Sequence, residues 1–420
     1  MDKRSDLPGF YAKNLQERRD LVAAFASLTD EERALFSTPH LDPELMIENS
    51  LGAFPLPFGI ATNFRINGRD YLIPLVIEEP SVVAAASHGA KLARPTGFRA
   101  DADRPVLKSM VQLVGVPDLQ RAVAAVRDQK PALLSACHEP SMAARGGGVF
   151  DLEPRIIETG RGPMLIVDIF CDCVDAMGAN LVNTAAEKLA PLLEELTGGS
   201  RRLMIVSNLA DRRLARAEAT WSRELLGDDL IEGILDAQAF AEADPYRCAT
   251  QNKGTMNGID AVCIATGNDF RALEAGAHAY AARDGHYRSL TAYEKTPDGD
   301  LRGRIKLPLA VGIVGGSTKT NRLVQVALKI LGVRSGRELA GVMAAVGLAQ
   351  NFAALRAQVA EGIQKGHMKL HAKNLAVAAG AQGEEIPRVA ARLAADGTVT
   401  ASHAAAILRQ IRQTAEARHK

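Results

Sequence analysis

Val106-Leu107-Lys108-Ser109-Met110-Val111-Gln112-Leu113-Val114 decides how the rest of the chain is read. Its apolar residues Val106, Leu107, Met110, Val111, Leu113 and Val114 read as a strand. Residues 118–136 then take helical spacing. Residues 149–157 and 163–174 return to strand texture, 183–196 form a helix that stops at Gly198-Gly199, and 202–207 form a last strand. The order β-α-β-β-α-β is that of a ferredoxin-like split βαβ unit, and it predicts a small domain over residues 105–205.

Upstream of this unit the first 40 residues read as helices, with Thr29 or Asp30 placed to cap a second one ahead of Leu35 and Phe36. Residues 58–66 and 69–76 read as two strands joined by the hairpin turn Asn67-Gly68. Glu78-Glu79-Pro80-Ser81 ends the second strand, and Val82-Val83-Ala84-Ala85-Ala86 begins a helix with Pro80 near its first turn. Downstream, residues 230–241, 269–283, 339–370 and 402–416 have helical spacing, and residues 290–310 give two strands around Asp298-Gly299-Asp300. Asn252 to Asp260 reads as a loop, and Gly312 to Lys319 as a glycine-rich tight turn. The fold class is therefore α+β. A large, mainly helical domain with a small sheet comes from residues 1–104 and 206–364, the ferredoxin-like βαββαβ domain is inserted in it, and residues 365–420 form a small C-terminal helical flap.

Lys and Arg number 50 and Asp and Glu 49, so the net charge is +1 and no basic stripe stands out. That balance argues against nucleic acid as a partner. No apolar run reaches the roughly 18 residues of a membrane span, and Met1-Asp2-Lys3-Arg4-Ser5-Asp6 leads into no signal core. The five cysteines make a poor disulfide framework in so long a chain, and Cys171 and Cys173 miss the spacing of a zinc knuckle. The expectation is a cytoplasmic protein with reduced thiols and no metal site.

No G-x-G-x-x-G follows a predicted strand, which argues against an ordinary Rossmann site. Gly312-Ile313-Val314-Gly315-Gly316-Ser317-Thr318-Lys319 has no Gly-Lys-Ser/Thr and fails as a phosphate loop. Asp175-Ala176-Met177-Gly178-Ala179-Asn180 lies between a strand and a long helix. Its small residues allow close backbone approach, and the helix start offers free N–H groups suited to a pyrophosphate; a plain strand-to-helix turn has the same composition. Lys253, among small and amide residues, has the chemistry to hold an oxyanion. Gly267-Asn268-Asp269 has the composition of a helix cap.

Six separated motifs occur in one order: Glu48-Asn49-Ser50-Leu51-Gly52, Glu78-Glu79-Pro80-Ser81-Val82-Val83-Ala84-Ala85, Asp175 to Asn180, Asn252-Lys253-Gly254-Thr255-Met256-Asn257-Gly258, Ala265-Thr266-Gly267-Asn268-Asp269 and Gly366-His367-Met368. In this order the chain resembles the class II hydroxymethylglutaryl-CoA reductases, from near residue 1 to near 415. One departure is Ser50-Leu51, where that family more often carries Val-Ile. The resemblance implies catalytic roles for Glu79, Lys253, Asp269 and His367, and substrate contacts for Ser81, Arg247 and Asn257. It implies a nicotinamide dinucleotide site at Asp175, Ala176, Met177, Gly178, Ala179 and Asn180, with Asn208 near the nicotinamide. Counting back from Gly146-Gly147-Gly148 places the acid that holds the adenosine ribose at Glu139, where the family more often has an aspartate.

The implied reaction joins a CoA thioester to an alcohol through two hydride transfers. Lys253 is expected to stabilise the carbonyl oxygen, Glu79 to donate the proton at the aldehyde step, with Asp269 near both, and His367 to protonate the leaving CoA thiolate from a closing flap. An acid on the ribose favours NAD(H) over NADP(H). Family members share their site across a dimer interface, so a homo-oligomer is expected. Two other readings compete. A CoA-acylating aldehyde dehydrogenase would need a reactive cysteine, for which Cys248 is the best candidate. A non-catalytic dinucleotide- or CoA-binding subunit would be expected to have lost at least one of the four catalytic positions, and all four are present.

Overall fold

Two strand-forming stretches, residues 58–76 and 106–114, build two separate sheets. The computed structural model describes residues 4–36, 46–360 and 372–418 of the 420. In chain order the elements are α1 (Leu15–Ala26), α2 (Asp30–Ala34), β1 (Phe58–Ile66), β2 (Arg69–Val76), α3 (Val82–Ala93) and β3 (Phe98–Ala102). Then come β4 (Val106–Val114), α4 (Leu119–Asp128), α5 (Lys130–Ala136), α6 (Pro140–Ala143), β5 (Gly148–Ile157), β6 (Met164–Asp172), α7 (Ala179–Thr197) and β7 (Ser200–Val206). These lead to β8 (Leu214–Trp221), α8 (Arg223–Leu226), α9 (Asp228–Ala243), α10 (Pro245–Ala265), α11 (Phe270–Ala281), β9 (Thr291–Lys295) and β10 (Leu301–Pro308). The last are α12 (Ser317–Thr320), α13 (Arg322–Leu331), α14 (Gly336–Ala360), α15 (Glu385–Ala395) and α16 (Ala401–Arg418).

The smaller sheet has the order β5-β6-β4-β7 with antiparallel neighbours, the ferredoxin-like arrangement in which the first strand lies between the third and the fourth. In β4 every second residue from Leu107 on is buried, and this builds the core. Val111 and Leu113 of β4 and Leu165, Val167 and Ile169 of β6 are buried beneath Val126 of α4 and Ala186, Leu189 and Leu193 of α7. The helix expected over 118–136 is broken at Gln129, because Pro131 in the first turn of α5 cannot donate to a continuing α4.

The larger sheet has six strands in the order β2-β1-β3-β8-β10-β9, so the expectation of a small sheet is corrected. β3 and β8 escaped the sequence reading because alanine fills their inward positions and alanine is depleted in strands. In β8, Ala215, Ala217 and Ala219 face in and Arg216 and Glu218 face out. These thin residues leave room for α14. Trp221 closes the end of β8, stacked on Phe352 at 3.9 Å with its indole N–H donating to the Gly89 carbonyl at 3.1 Å.

α14 is buried on nearly every side from Gly336 to Leu355, as a helix apolar all round must be. It is long and apolar enough on average to cross a bilayer, although Gln350 and Asn351 break its apolar run, and 89% of its apolar window lies inside the protein. Gly347 explains how it packs so closely. A Cβ there would come 2.7 Å from Ile259 Cδ1 of α10.

The loop expected over Asn252–Asp260 is also corrected, since these residues are the middle of α10. Asp244 caps that helix by accepting from Arg247 N at 2.7 Å, and Pro245 opens its first turn. Gly254 and Gly258 suggested a loop. Gly258 instead lies against Val346 and Gln350 of α14, where tertiary packing overrides a weak local propensity. Residues 372–418 have a core of their own, made of Ala376, Val389, Leu393, Ala404, Ile407 and Leu408.

Candidate active site

Lys253, Asn257 and Asp260 follow each other on α10 at the i, i+4, i+7 spacing of one helix face. Glu79 lies in the connection from β2 to α3, held there by the hairpin that Asn67-Gly68 closes. Lys253 Nζ donates to Glu79 Oε2 at 2.5 Å across 174 residues of sequence. Their side chains are 59% and 34% exposed, so water screens the pair and an entering ligand can part it at low cost. Two residues on, Ser81 takes the left-handed φ of 75° and precedes α3 without a capping bond from its side chain. A non-glycine residue held there stores roughly 1–3 kcal/mol of strain, a cost met most often at binding sites.

Arg247 lies two turns before Lys253 on α10 and donates to Gln251 Oε1 at 3.2 Å and Gln358 Oε1 at 3.0 Å. Burial lowers its pKa from the ordinary value, though a guanidinium stays charged. Gln358 belongs to the last described turn of α14, before the segment that carries His367. His367 itself lies outside the described residues.

The Asp175–Asn180 motif runs from the end of β6 into α7. Gly178 has φ 105°, and a Cβ there would overlap the Cys173 sulfur. No side chain caps α7, so its first N–H groups have no intrahelical acceptor and meet the positive end of the helix dipole. A glycine cradle open to an uncapped nineteen-residue helix fits a pyrophosphate. The loop is held from several sides. Gly336 N donates to Asp175 Oδ1 at 2.9 Å, Ile313 N donates to the Asp175 carbonyl at 2.8 Å, and Ala176 bridges Val314. Arg213, only 4% exposed, donates to the carbonyls of Met177 (2.9 Å), Ala176 (3.2 Å) and Val311.

Asn208 is exposed, and its carbonyl would be 2.6 Å from a Cβ at Gly276 of α11. Glu139 precedes α6 and pairs with Lys188 of α7 at 3.5 Å.

Asp269 is the N-cap of α11, where Oδ1 accepts from Arg271 N at 3.0 Å and Ala272 N at 3.2 Å. Its charge acts on Cys263, ten residues beyond Lys253 and so roughly 15 Å along α10. The residues before it are tied to the loop that supports Ala176. Gly312 N donates to Asn268 Oδ1 at 2.8 Å, and Ser317 Oγ donates to the Gly267 carbonyl at 2.7 Å. Among the described residues no hydrogen bond or ion pair joins Asp269 to the Lys253–Glu79 pair within one chain. Lys253 and Glu79 meet near the middle of α10, while Asp269 stands beyond its C-terminal end with the Asp175–Asn180 loop. The spacing of residues along a sequence does not say at which end of a long helix the next turn will dock. A cavity of about 920 Å³ lies over the outer face of the six-stranded sheet and is lined by none of these residues.

The family model described as hydroxymethylglutaryl-coenzyme A reductase matches residues 14–372. A 3-hydroxy-3-methylglutaryl-coenzyme A reductase from Archaeoglobus fulgidus is 52% identical over 97% of this chain and 95% of its own. The chain belongs to the hydroxymethylglutaryl-coenzyme A reductase family. A structure of the Streptococcus pneumoniae reductase matches with a TM-score of 0.81 at 40% identity, covering 96% of this chain and 99% of that one. Another, of the class II enzyme of that organism bound to NADPH in open conformations, gives a TM-score of 0.79 at 41% identity over 95% and 100% of the two chains. The present reductase is of class II.

Family membership removes the need for a cysteine nucleophile, and the thiol itself is unsuited to the task. Cys248 is fully buried, and that burial pushes its pKa up, away from the reactive thiolate. Cys248→Ser is expected to leave turnover within about threefold of wild type, because Asn252 Nδ2, now 3.7 Å from the sulfur, can donate to the new hydroxyl. Loss of turnover in a folded Cys248→Ser reductase would bring the acylating dehydrogenase reading back.

Sequence reasoning missed Arg213 and the Gly312 turn. Arg213 was given no part, and Gly312–Lys319 was read only as a tight turn. The glycine was the available signal, because a Cβ at Gly312 would overlap the backbone of Met177.

Proposed function

We propose that this reductase interconverts 3-hydroxy-3-methylglutaryl-CoA with mevalonate and CoA by two hydride transfers, at a site shared between two copies of the chain. Membership of the family and the Lys253–Glu79 contact carry the reading. Lys253 is a fixed cation for the carbonyl oxygen on which charge develops at each reduction. Glu79, in contact with Lys253, gives the proton at the aldehyde step. Ser81, Asn257 and Arg247 orient the acyl group from the surrounding turns of α3 and α10. His367 is the proton donor to the CoA thiolate, brought in by the C-terminal flap.

The nicotinamide dinucleotide, when bound, supplies or accepts the hydride. The N-terminus of α7 and the Asp175–Asn180 loop hold its pyrophosphate; Asn268, beside Asp269, is tied to the Gly312 turn that supports that loop, and Asn208 lies against Gly276 of α11. Asp269 is then delivered to the Lys253–Glu79 pair of the partner copy. An extended apolar segment favours such a partner: Ile47, Leu51 and Phe54 are each more than half exposed, beside the Glu48–Gly52 motif. The reductase acts in the cytoplasm, as a dimer or a larger homo-oligomer.

NAD(H) is the cofactor we infer. A 2′-phosphate near the Glu139 carboxylate meets a like charge, and the neighbouring Lys188 is already engaged with that carboxylate. The S. pneumoniae relative was seen with NADPH, so the two cofactors are to be compared directly. Absorbance at the nicotinamide band is followed with mevalonate, CoA and NAD⁺ or NADP⁺, and then with the thioester and NADH or NADPH. Turnover with mevalonate and CoA is expected, with kcat/KM higher for NAD(H) by about tenfold or more. Equal or reversed preference would remove the role of Glu139, and no turnover with either cofactor would remove the reductase reading.

A further inference from the structure

α10 carries Lys253, and Asp269 opens α11, so the contact between these two helices sets how the two parts of the site are spaced. Polar side chains run along that contact in a line. The carboxyls of Asp260 on α10 and Glu274 on α11 meet across it. Glu274 Oε2 lies 2.6 Å from His278 Nε2 one turn further along α11, and His278 Nδ1 lies 2.7 Å from the Tyr287 hydroxyl in the connection that follows.

Two carboxyls cannot face each other in a half-buried place with both ionised, because each charge opposes the other. One of them holds a proton. Asp260 Oδ1 is buried with no hydrogen-bond partner, as suits a neutral acid, whereas Glu274 is approached by both Asp260 and His278. Burial and the adjoining Glu274 push Asp260 up to about 8, and the contact with His278 holds Glu274 below the usual carboxylate range. The other titratable groups around them are the Cys263 thiol on α10, raised by burial, and Tyr287, likewise raised, with Cys248 near it. Asp269 and Arg271 at the start of α11 act on Cys263 with opposite signs.

We propose that Asp260 is a positioning residue whose carboxylic acid donates to Glu274, and that this one shared proton clasps α11 to α10 and so fixes Asp269 relative to Lys253. The proposal rests on the roles given above to Lys253 and Asp269. When the proton leaves to solvent, the two carboxylates repel, the helices part and turnover falls, although no group that touches substrate has titrated.

The sign of the stability effect follows from linkage. A carboxyl raised from its ordinary value near 4 contributes stability that is complete below about pH 4 and is lost as pH rises through the folded value near 8. Glu274, being lowered, acts in the opposite sense and only at acid pH. Of the two carboxyls only Asp260 acts between about pH 5 and 8; His88, lowered by burial, acts there in the opposite sense but is common to wild type and variants, so the difference between their profiles reports Asp260.

The test uses the full chain. Difference infrared spectroscopy of the wild type should show the carbonyl stretch of a protonated carboxylic acid, lost as pH passes about 8, and Tm should fall between pH 5 and 8. Asp260→Asn keeps a donor to Glu274 that cannot titrate. It should lack the infrared band, flatten the Tm profile, keep kcat at pH 7 within about threefold of wild type, and hold that kcat above pH 8, where the wild type declines. Asp260→Ala, which has no donor, should lose activity at every pH that the Asn variant does not. A wild type without the acid band, or an Asp260→Asn variant whose Tm and kcat profiles superimpose on wild type, would overturn the proposal. Absence of reductase turnover in the wild type would instead overturn the reading of the site, and the infrared and Tm results would still decide whether the clasp exists.

Discussion

Lys253→Ala is expected to lower kcat by about 10²–10³-fold, the loss that follows removal of one oxyanion-stabilising donor, with dinucleotide affinity unchanged. The two effects separate because the groups are far apart. Lys253 lies in the middle of α10, whereas the Asp175–Asn180 loop is supported by Gly336, Ile313 and Arg213. Folding should survive the change, since a pair this open to water contributes only about 0–1 kcal/mol. Glu79, left without its partner, remains partly solvated. Turnover is read from nicotinamide absorbance, dinucleotide affinity from titration calorimetry, and folding from Tm. Turnover near the wild-type rate in Lys253→Ala would remove the proposed chemistry, whatever the affinity.

A mixture of two inactive chains should recover activity. Lys253→Ala spoils one part of the site and Asp269→Asn the other; asparagine is chosen because it still caps α11, whose Arg271 and Ala272 N–H groups need an acceptor. If Asp269 completes the Lys253–Glu79 pair of a second copy, a mixed dimer has one site with both defects and one with neither. Random mixing makes about half the dimers mixed, so co-expression should restore about a quarter of wild-type turnover from two nearly inactive parents. A site complete within one chain gives no recovery, because every site then keeps one defect. The roughly 15 Å of helix between Lys253 and Cys263, beside Asp269, is the reason to expect recovery.

Much of this was legible in the sequence, and the residues that were not share a cause. The hairpin at Asn67-Gly68, the apolar strand β4 and the glycine stop after α7 are local signals, and the structure has each of them. Glu79 and Lys253 could be paired in advance only through a resemblance, since nothing in 174 residues of separation brings them together. α10 was misread because Gly254 and Gly258 look like loop residues until α14 is placed against them. β3 and β8 were missed because alanines that make room for a neighbouring helix carry no strand signal of their own. Asp269 was legible as a cap but not as a neighbour of the loop that supports Ala176, a placement set by Asn268 and Gly312 meeting across 44 residues. Arg213 shows the same limit, because a buried guanidinium spanning carbonyls of two segments looks in the sequence like any surface arginine.

Arg213 also bears on how freely this architecture can be taken apart. The loop it grips is covalently part of the ferredoxin-like insert, yet three of its supports, Arg213, Ile313 and Gly336, come from chain that follows the insert. An excised 105–205 fragment would keep its sheet and hydrophobic filling but lose the scaffolding under its own Asp175–Asn180 loop. The insert is thus no portable cassette, and transplanting nucleotide preference from one such enzyme to another would require moving the strut, the glycine turn and the helix start along with it.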